Sequence, residues 1–392
     1  MVFRSLFQRR FWLDKSKRLL STGADEEILA ENINGKLVVT LNRPKALNAL
    51  NISMVRKLYS MLKKCNSDRS LPFILVKGAG GKAFCAGGDI VAVSRSVQAN
   101  DPSDTIYKDF FREEYVLNHL IGVLRVPYIA VMDGITMGGG CGLSLHGKYR
   151  IATERTILAM PETAIGLFPD VGGTFFLSRL PYNLGHFMAL TGYRVEGADV
   201  YHMGLATHFV SLGSISIVPS AKLKDLEDEL IRTDNKFLSV GRVDQILNKY
   251  HMKESEIPKF GLEKRLAQID YLFSGSTVES LFKKLRSDDD FGKKQCDILS
   301  TKSPTSLKVT FRQLQIGLKM QFREVFTMEY RLSQRFMKNH DFHEGCRAIL
   351  IDKDQKPEWK PANIEEVTDE MMDEYFAPLQ ENEELIIKEL EN

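Results

Sequence analysis

Two stretches decide the fold: ITMGGGCGLSLHG at positions 135–147 and AMPETAIGLFPDVGG at positions 159–173. The first carries a triple glycine, which lets backbone N–H groups approach a ligand closely at the start of a predicted helix. The second carries Glu162 and Asp170, each directly after a proline and each in a loop between apolar runs. Backbone donors and positioned carboxylates are the groups needed to stabilise an oxyanion and to move a proton. The sequence therefore predicts an enzyme that acts on a carbonyl group.

The composition fits one large buried core or two moderate ones, because 43% of the 392 residues are hydrophobic. The 53 Lys and Arg residues nearly balance the 51 Asp and Glu residues, which leaves no overall charge suited to nucleic acid. No apolar run approaches the roughly 18–20 residues needed to cross a bilayer. We therefore expect a small-molecule substrate and neither a nucleic-acid nor a membrane partner, and the sequence leaves homo-oligomer formation open.

The first 24 residues have the composition of a mitochondrial transit peptide. They are rich in arginine, poor in acids and amphipathic, with large apolar residues between the basic ones. A frayed basic tail and a basic helix on a membrane surface are the alternatives. We predict import into the mitochondrial matrix and set residues 1–24 apart from the fold.

The order of apolar runs predicts an α/β fold. Predicted strands at Lys36–Leu41, 73–77, Tyr128–Met132 and 149–153 alternate with helical patterns at 51–65 and around 110–124. Gly-rich turns follow these strands, at the sheet edge where α/β folds collect ligand sites. We assign residues 25–210 to this core.

The composition changes after about residue 210. Residues 219–300 are charged and helical with few glycines, and residues 311–339 predict one long helix or two shorter ones. We expect the charge run at 288–290 to form a solvated loop and the acidic tail from Asp369 onward to be peripheral. Residues 211–392 are therefore assigned to a helical extension and a C-terminal helical region that completes the fold.

A second glycine loop accompanies the triple glycine. KAFCAGGD at positions 82–89 places Gly87 and Gly88 before Asp89, which allows a turn with an inward-pointing N–H. Alone, this loop is better explained as a tight structural turn, and a triple glycine also permits close helix packing. Together, the two loops supply the two donors that an oxyanion hole requires.

Glu162 and Asp170 are eight residues apart, so they converge only through the loop between them. Pro161 and Pro169 restrict the backbone before each acid. Two carboxylates in one apolar pocket push their pKa values apart, which leaves one ionised and the other more easily protonated. The alternative is that both acids face water.

Other chemistry is poorly supported. GAGGKA at 78–83 fits a dinucleotide fingerprint only loosely, since no acid follows at a strand end about 20 residues on. Ser144 and His146 face different directions on a helix, and no G-x-S-x-G turn is present to build a serine triad with Asp133. The five scattered cysteines and eight histidines show no ligand spacing. We predict no metal and no cofactor.

Several motifs in order resemble the crotonase (enoyl-CoA hydratase/isomerase) superfamily. They are LNRPKALNAL at 41–50, KAFCAGGDI at 82–90, GITMGGG at 134–140 and PETAIG at 161–166. The resemblance implies a spiral of ββα units that binds acyl-CoA and polarises its thioester carbonyl. It also implies that the backbone N–H groups of Gly88 and Gly139 form the oxyanion hole.

The chain departs from the hydratases of that superfamily at Gly142, where they carry a glutamate. It keeps Glu162 and adds Asp170, a pattern that resembles the mitochondrial thioesterases acting on 3-hydroxyisobutyryl-CoA in valine breakdown. That resemblance implies Glu162 and Asp170 as catalytic residues, with Glu162 acting as nucleophile or as general base. It also implies substrate binding by Glu114, Gly139, Glu162 and Asp170.

Three lysines, Lys45, Lys77 and Lys82, are candidates for binding the CoA phosphates. Two alternative functions remain at this stage. One is enoyl-CoA hydratase or isomerase chemistry, which Gly142 disfavours. The other is a non-catalytic member of the scaffold that binds acyl-CoA or RNA, which the intact acids and the balanced charge disfavour.

Overall fold

The computed structural model describes residues 17–19, 26–68, 70–99, 101, 103–213 and 222–387. Most of the predicted transit peptide lies outside these residues, so that assignment stays a prediction. The exception is Lys17–Leu19, a short strand that pairs antiparallel with residues 31–33. It lies within the segment that we set apart from the fold.

Two β-sheets form the centre of the molecule. The strands of the described residues are β1 (Lys17–Leu19), β2 (Ile28–Ile33), β3 (Lys36–Leu41), β4 (Ile74–Gly78), β5 (Ala83–Cys85), β6 (Tyr128–Met132), β7 (Ile135–Met137), β8 (Tyr149–Ala152), β9 (Ile157–Ala159), β10 (Val195–Glu196) and β11 (His208–Phe209). The larger sheet has the order β1-β2-β3-β4-β6-β8-β11 and the smaller one β10-β9-β7-β5. Pairing is antiparallel for β1–β2, β2–β3 and β9–β10, and parallel elsewhere.

Helices surround both sheets. The α-helices of the described residues are α1 (Ile52–Ser67), α2 (Ile90–Ala99), α3 (Ile106–Gly122), α4 (Gly139–Ser144), α5 (Gly173–Leu177), α6 (Leu184–Thr191), α7 (Ala198–His202), α8 (Lys222–Arg232), α9 (Val240–Tyr250), α10 (Leu266–Leu272), α11 (Val278–Ser287), α12 (Asp290–Ser300), α13 (Pro304–Gly317), α14 (Phe322–Phe336), α15 (His340–Gly345) and α16 (Asp369–Phe376). Short 3₁₀ helices lie at Pro44–Ala46, Glu162–Ile165, Asn235–Phe237, Glu263–Arg265 and Ile364–Glu366, and a π-helical segment at Cys346–Ile351. None of the helices in the described ranges has the length and apolar character of a membrane span.

The central strands are apolar on both faces because helices cover both faces of the larger sheet. All five residues of β6 are buried. Since side chains alternate along a strand, Val76 of β4 packs into the core on one face and Leu75 into a second core on the other. The second core is completed by α8 and α9, which contribute Leu226 and Ile246.

The repeating unit is a strand in each sheet followed by a helix. β4 and β5 precede α2, β6 and β7 precede α4, and β8 and β9 precede the 3₁₀ helix Glu162–Ile165. In each pair the first strand enters the larger sheet and the second enters the smaller one. This is the spiral of ββα units that the sequence predicts, and the α/β fold class is confirmed.

The helical region matches one expectation and departs from two. Residues 311–339 lie in two helices, the second of the two predicted alternatives, because α13 ends at Gly317 and α14 begins at Phe322. The charge run at 288–290 is a loop only in part: its first two residues link α11 to α12, and the Asp289 carboxylate accepts the Phe291 N–H at 2.8 Å and so caps α12. The tail is not peripheral throughout, since Tyr375 and Leu385 are buried in the main core.

Candidate active site

The triple glycine lies in the turn from β7 into α4. Gly138 precedes the helix with φ 47° and ψ −119°, a conformation that residues with a Cβ rarely adopt. A Cβ on Gly140 would collide with the carbonyl oxygen of Cys85 in β5. The glycines therefore serve the close approach of α4 to the smaller sheet, and they expose the first amides of the helix.

The backbone amides of Gly88 and Gly139 lie close together. A Cβ built on Gly139 would lie 3.3 Å from the nitrogen of Gly88, and one built on Gly87 would lie 3.8 Å from the nitrogen of Gly139. The Gly88 loop is fixed by a bridge to Leu50, whose N–H donates to the Gly87 carbonyl at 2.8 Å. Two backbone N–H groups from separate loops thus lie close together, as an oxyanion hole requires.

Glu162 lies beside these glycines. It is the first residue of its 3₁₀ helix, and a Cβ on Gly138 would be 3.0 Å from its Oε1. The side chain is only 5% exposed, and its Oε2 is buried without a hydrogen-bond partner among the described residues. Burial, reinforced by the charge of Asp170, raises the pKa of the Glu162 carboxyl well above its usual range.

Asp170 lies on the loop between Glu162 and α5. Its Oδ2 accepts a hydrogen bond of 2.8 Å from the Tyr115 hydroxyl of α3, and its side chain is 5% exposed. Burial raises the pKa of Asp170 to about 7, although the bond from Tyr115 acts in the opposite direction. A group that titrates near neutral pH is suited to proton transfer.

Glu114 completes a cluster of buried acids. Its Oε1 would lie 2.5 Å from a Cβ on Gly139, and this oxygen has no hydrogen-bond partner among the described residues. Burial, followed by the charge of Asp170, raises the pKa of Glu114 well above its usual range. Buried acids with raised pKa values do not all ionise at neutral pH, so the cluster retains protons there.

The three candidate lysines are placed differently. Lys45 and Lys82 are exposed on adjoining loops, where a Cβ on Gly80 would be 2.6 Å from the Pro44 Cβ. Asn48 joins these loops by donating to the carbonyls of Ala79 and Ala83, at 2.9 and 2.8 Å.

Lys77 lies on β4 and forms an ion pair with Glu227 of α8. Because side chains alternate along β4, it shares the face of Leu75, opposite the core that contains Cys85 and Cys141. The structure therefore gives no support to Lys77 as a phosphate ligand.

The residues of the rejected serine triad are occupied elsewhere. The Ser144 hydroxyl donates to the Gly140 carbonyl at 2.8 Å, and His146 Nε2 lies 2.7 Å from the Val171 carbonyl oxygen. Asp133 accepts from Thr153 and pairs with Arg155. No metal-binding group of three or more His, Cys, Asp or Glu side chains is found within the described residues.

Sequence reasoning missed three buried polar residues around the site. Tyr115 binds Asp170, Glu329 of α14 contacts the loop after Asp170, and Asn118 is buried with no partner for either side-chain polar atom among the described residues. Glu329 follows the apolar positions of Val325 and Phe326 along α14. A carboxylate on an apolar helix face is the signal that would have identified it.

Gly142, at the position where the hydratases carry a glutamate, is tightly packed in this structure. A Cβ at this position would lie 2.7 Å from the Cβ of Val171 and 2.8 Å from Asn118 Nδ2. Val171 adjoins Asp170 and has φ 54°. The space into which a side chain at position 142 would project is therefore filled by the loop that carries Asp170.

The fold and this cluster define a class of protein. Residues 36–376 match the family described as enoyl-CoA hydratase/isomerase, and the chain belongs to that family. A relative named mitochondrial 3-hydroxyisobutyryl-CoA hydrolase in Xenopus laevis is 53% identical over 87% of this chain and 86% of its own length. The human protein of that name is 50% identical over 91% of this chain and 90% of its own.

Two solved structures are similar over nearly the whole chain. A carnitinyl-CoA dehydratase from Mycobacterium thermoresistibile has a TM-score of 0.83 and 36% identity, covering 93% of this chain and 99% of that one. An enoyl-CoA hydratase from Rhodobacter sphaeroides has a TM-score of 0.80 and 33% identity, covering 92% of this chain and 100% of that one.

Proposed function

We propose that this protein hydrolyses the thioester of 3-hydroxyisobutyryl-CoA to 3-hydroxyisobutyrate and free CoA. The relatives with that name, at about 50% identity over about nine-tenths of the chain, support the substrate. The observation that supports the chemistry is the position of the Glu162 carboxyl beside Gly138, next to the glycines whose amides are the proposed donors. An anionic side chain beside an oxyanion hole is the minimum equipment for acyl transfer.

In the proposed mechanism, the thioester oxygen accepts hydrogen bonds from the N–H groups of Gly88 and Gly139. These donors stabilise the negative charge that develops on the oxygen when the carbonyl is attacked, and losing one typically costs about 10²–10³ in rate. In its ionised form, which its raised pKa makes more abundant as pH rises, Glu162 either attacks the carbonyl to give a mixed anhydride or removes a proton from the attacking water. Both routes break the carbon–sulfur bond and release CoA; in the first, water then hydrolyses the anhydride, which releases 3-hydroxyisobutyrate and restores the Glu162 carboxylate.

Asp170 has two roles in this mechanism. It orients the acyl group or the water, and it donates its proton to the departing CoA thiolate. A pKa of about 7 leaves a substantial protonated fraction at neutral pH, as a general acid requires. The hydrogen bond from Tyr115 holds the Asp170 carboxyl in place while it acts.

Glu114 binds the 3-hydroxyl of the substrate in this proposal. Its Oε1 is buried and has no partner within the described residues, and leaving a buried acceptor unpaired is unfavourable. A substrate hydroxyl would satisfy it. The CoA phosphates would contact Lys45 and Lys82 on their adjoining loops.

Hydratase chemistry is the alternative, because two structural relatives at 33–36% identity are named as a dehydratase and a hydratase. Gly142 and the close packing of Val171 and Asn118 count against it. The relatives at about 50% identity are named mitochondrial, and we place this chain in the mitochondrial matrix. We also propose that it needs no cofactor beyond the CoA of its substrate.

A substrate panel tests the proposal. The purified chain is mixed with 3-hydroxyisobutyryl-CoA, isobutyryl-CoA or methacrylyl-CoA, and free thiol is measured with a chromogenic disulfide. We expect fast thiol release from the first, slower release from the second because it lacks the hydroxyl, and no hydration of the third. Loss of the enoyl absorbance of methacrylyl-CoA without thiol release would favour the hydratase alternative.

A further inference from the structure

Glu329 is a buried carboxylate that the mechanism above does not use. It lies on α14, is fully buried, and reaches the turn that directly follows Asp170. Its Oε2 accepts the Gly172 N–H at 2.7 Å and its Oε1 accepts the Thr174 N–H at 3.0 Å. The C-terminal helical region thus fixes the backbone of the catalytic loop.

A second helix holds the same loop from its other end. Gln313 of α13 donates through Nε2 to the Pro169 carbonyl and to the Thr174 Oγ1, both at 2.6 Å. The loop is therefore anchored at Pro169, directly before Asp170, and at Gly172 and Thr174 after it.

The conformation of the loop explains why it needs anchors. Val171 has φ 54° and Gly172 has φ 81°, so two consecutive residues are left-handed. The left-handed conformation is unfavourable for a β-branched residue and persists only where the surroundings enforce it. The hydrogen bonds that Glu329 accepts lie directly after this strained residue and hold Asp170 in its position.

Glu329 also acts on the charges of the site. Burial raises the pKa of Glu329 to about 8, with a further contribution from the charge of Asp170. In its ionised form, Glu329 is one of the charges that raise the pKa of Glu162. The other titratable groups near the loop are Glu114 and Tyr115 of α3 and His146 just after α4, whose pKa burial lowers to about 4 so that it is neutral.

We propose that Glu329 is a positioning residue, which holds the Asp170 loop by accepting hydrogen bonds from two of its backbone amides. It acts through Asp170 and does not touch the substrate. This inference rests on the proposed hydrolase function for its kinetic consequences only, because the anchoring of the loop is measurable without turnover.

The test compares Glu329→Gln and Glu329→Asp with Glu324→Gln, which makes the same change at the exposed N-terminal end of α14. We expect Glu329→Gln to lower kcat by about 10-fold to 100-fold with KM within about 3-fold, because the acid is displaced while the binding surface remains. Glu329→Asp, whose shorter side chain does not reach both amides, should also lose kcat, and Glu324→Gln should match the wild type.

Hydrogen exchange at the amides of Gly172 and Thr174 gives the readout that needs no activity. These amides should exchange about 10-fold faster or more in Glu329→Gln than in Glu324→Gln. Equal exchange and equal kcat in those two variants would overturn the proposal. If Glu329→Gln fails to fold, Glu329→Asp decides by the same two measurements. A wild type that releases no thiol from 3-hydroxyisobutyryl-CoA would instead refute the proposed function, while the exchange comparison would still decide the anchoring.

Discussion

Glu162, Asp170 and Glu114 are acids with little or no contact with solvent, and each has a raised pKa. Burial raises all three pKa values, and the charge of Asp170 further raises those of Glu162 and Glu114. Ordinary surface acids would be ionised at neutral pH and would bind water. Here two carboxylate oxygens, Glu114 Oε1 and Glu162 Oε2, are buried and unpaired within the described part of the chain. Such groups are where a substrate or a reacting water is expected.

Gly139→Ala tests the oxyanion hole at the residue scale. The added methyl group would lie 2.5 Å from Glu114 Oε1 and 3.3 Å from the Gly88 nitrogen, so it intrudes between the proposed donors and the substrate. We expect kcat/KM for thiol release to fall by about 10²–10³. Gly241→Ala in α9 is the control, because its nearest neighbour would be the Ser239 Oγ at 3.9 Å. Equal activity in the two variants would show that Gly139 does not line the site.

At the scale of elements, each part of the site comes from a different segment of the spiral. The first residue of α4 is Gly139, the loop after β5 supplies Gly88, and the 3₁₀ helix after β9 supplies Glu162. The close contact between α3 and α4 depends on Gly142, whose Cβ position is bounded by Asn118 and Val171. A glutamate at position 142, as the hydratases carry, therefore does not fit unless the Asp170 loop moves.

Gly142→Glu tests this packing argument. A side chain there would overlap Val171 and Asn118, and overpacking typically costs about 1–3 kcal/mol. We expect a lower melting temperature and no gain of enoyl-CoA hydration, measured by calorimetry and by enoyl absorbance. The same substitution at exposed Gly241 serves as the control. Hydratase activity in Gly142→Glu at an unchanged melting temperature would refute the argument.

For the whole molecule, much of the fold was predictable because the strands are local apolar runs. Lys36–Leu41 and Tyr128–Met132 have the predicted bounds, and α1 begins one residue after the predicted start because Asn51 caps it. The convergence of Glu162 with the glycine loops was predictable through the family resemblance, since residues far apart in sequence show no local signal for it. Glu329 was not predictable for the same reason: its partners lie about 155 residues away.

The acid cluster also makes stability depend on pH. Asp170 and Glu329 have folded pKa values of about 7 and about 8, above their ordinary values of 3.8 and 4.5. A raised pKa means that the folded state binds the proton more tightly, so its stabilisation is lost as pH rises through the folded pKa. We expect the free energy of unfolding to fall from about pH 4 to about pH 8, the interval between the ordinary and the folded pKa values, and to fall less in Asp170→Asn. Denaturant titrations at several pH values check this, and parallel curves for the two proteins would contradict it.

The central claim is that the Glu162 carboxylate, beside two backbone amides, cleaves the thioester. Thiol release at saturating 3-hydroxyisobutyryl-CoA by the wild type and by Glu162→Gln, with substrate binding measured by calorimetry, tests it most directly. The amide keeps the shape of the side chain but neither attacks a carbonyl nor removes a proton from water, so kcat should fall by at least about 10²–10⁴ with binding retained. Glu162→Gln with near-normal thiol release would contradict the account.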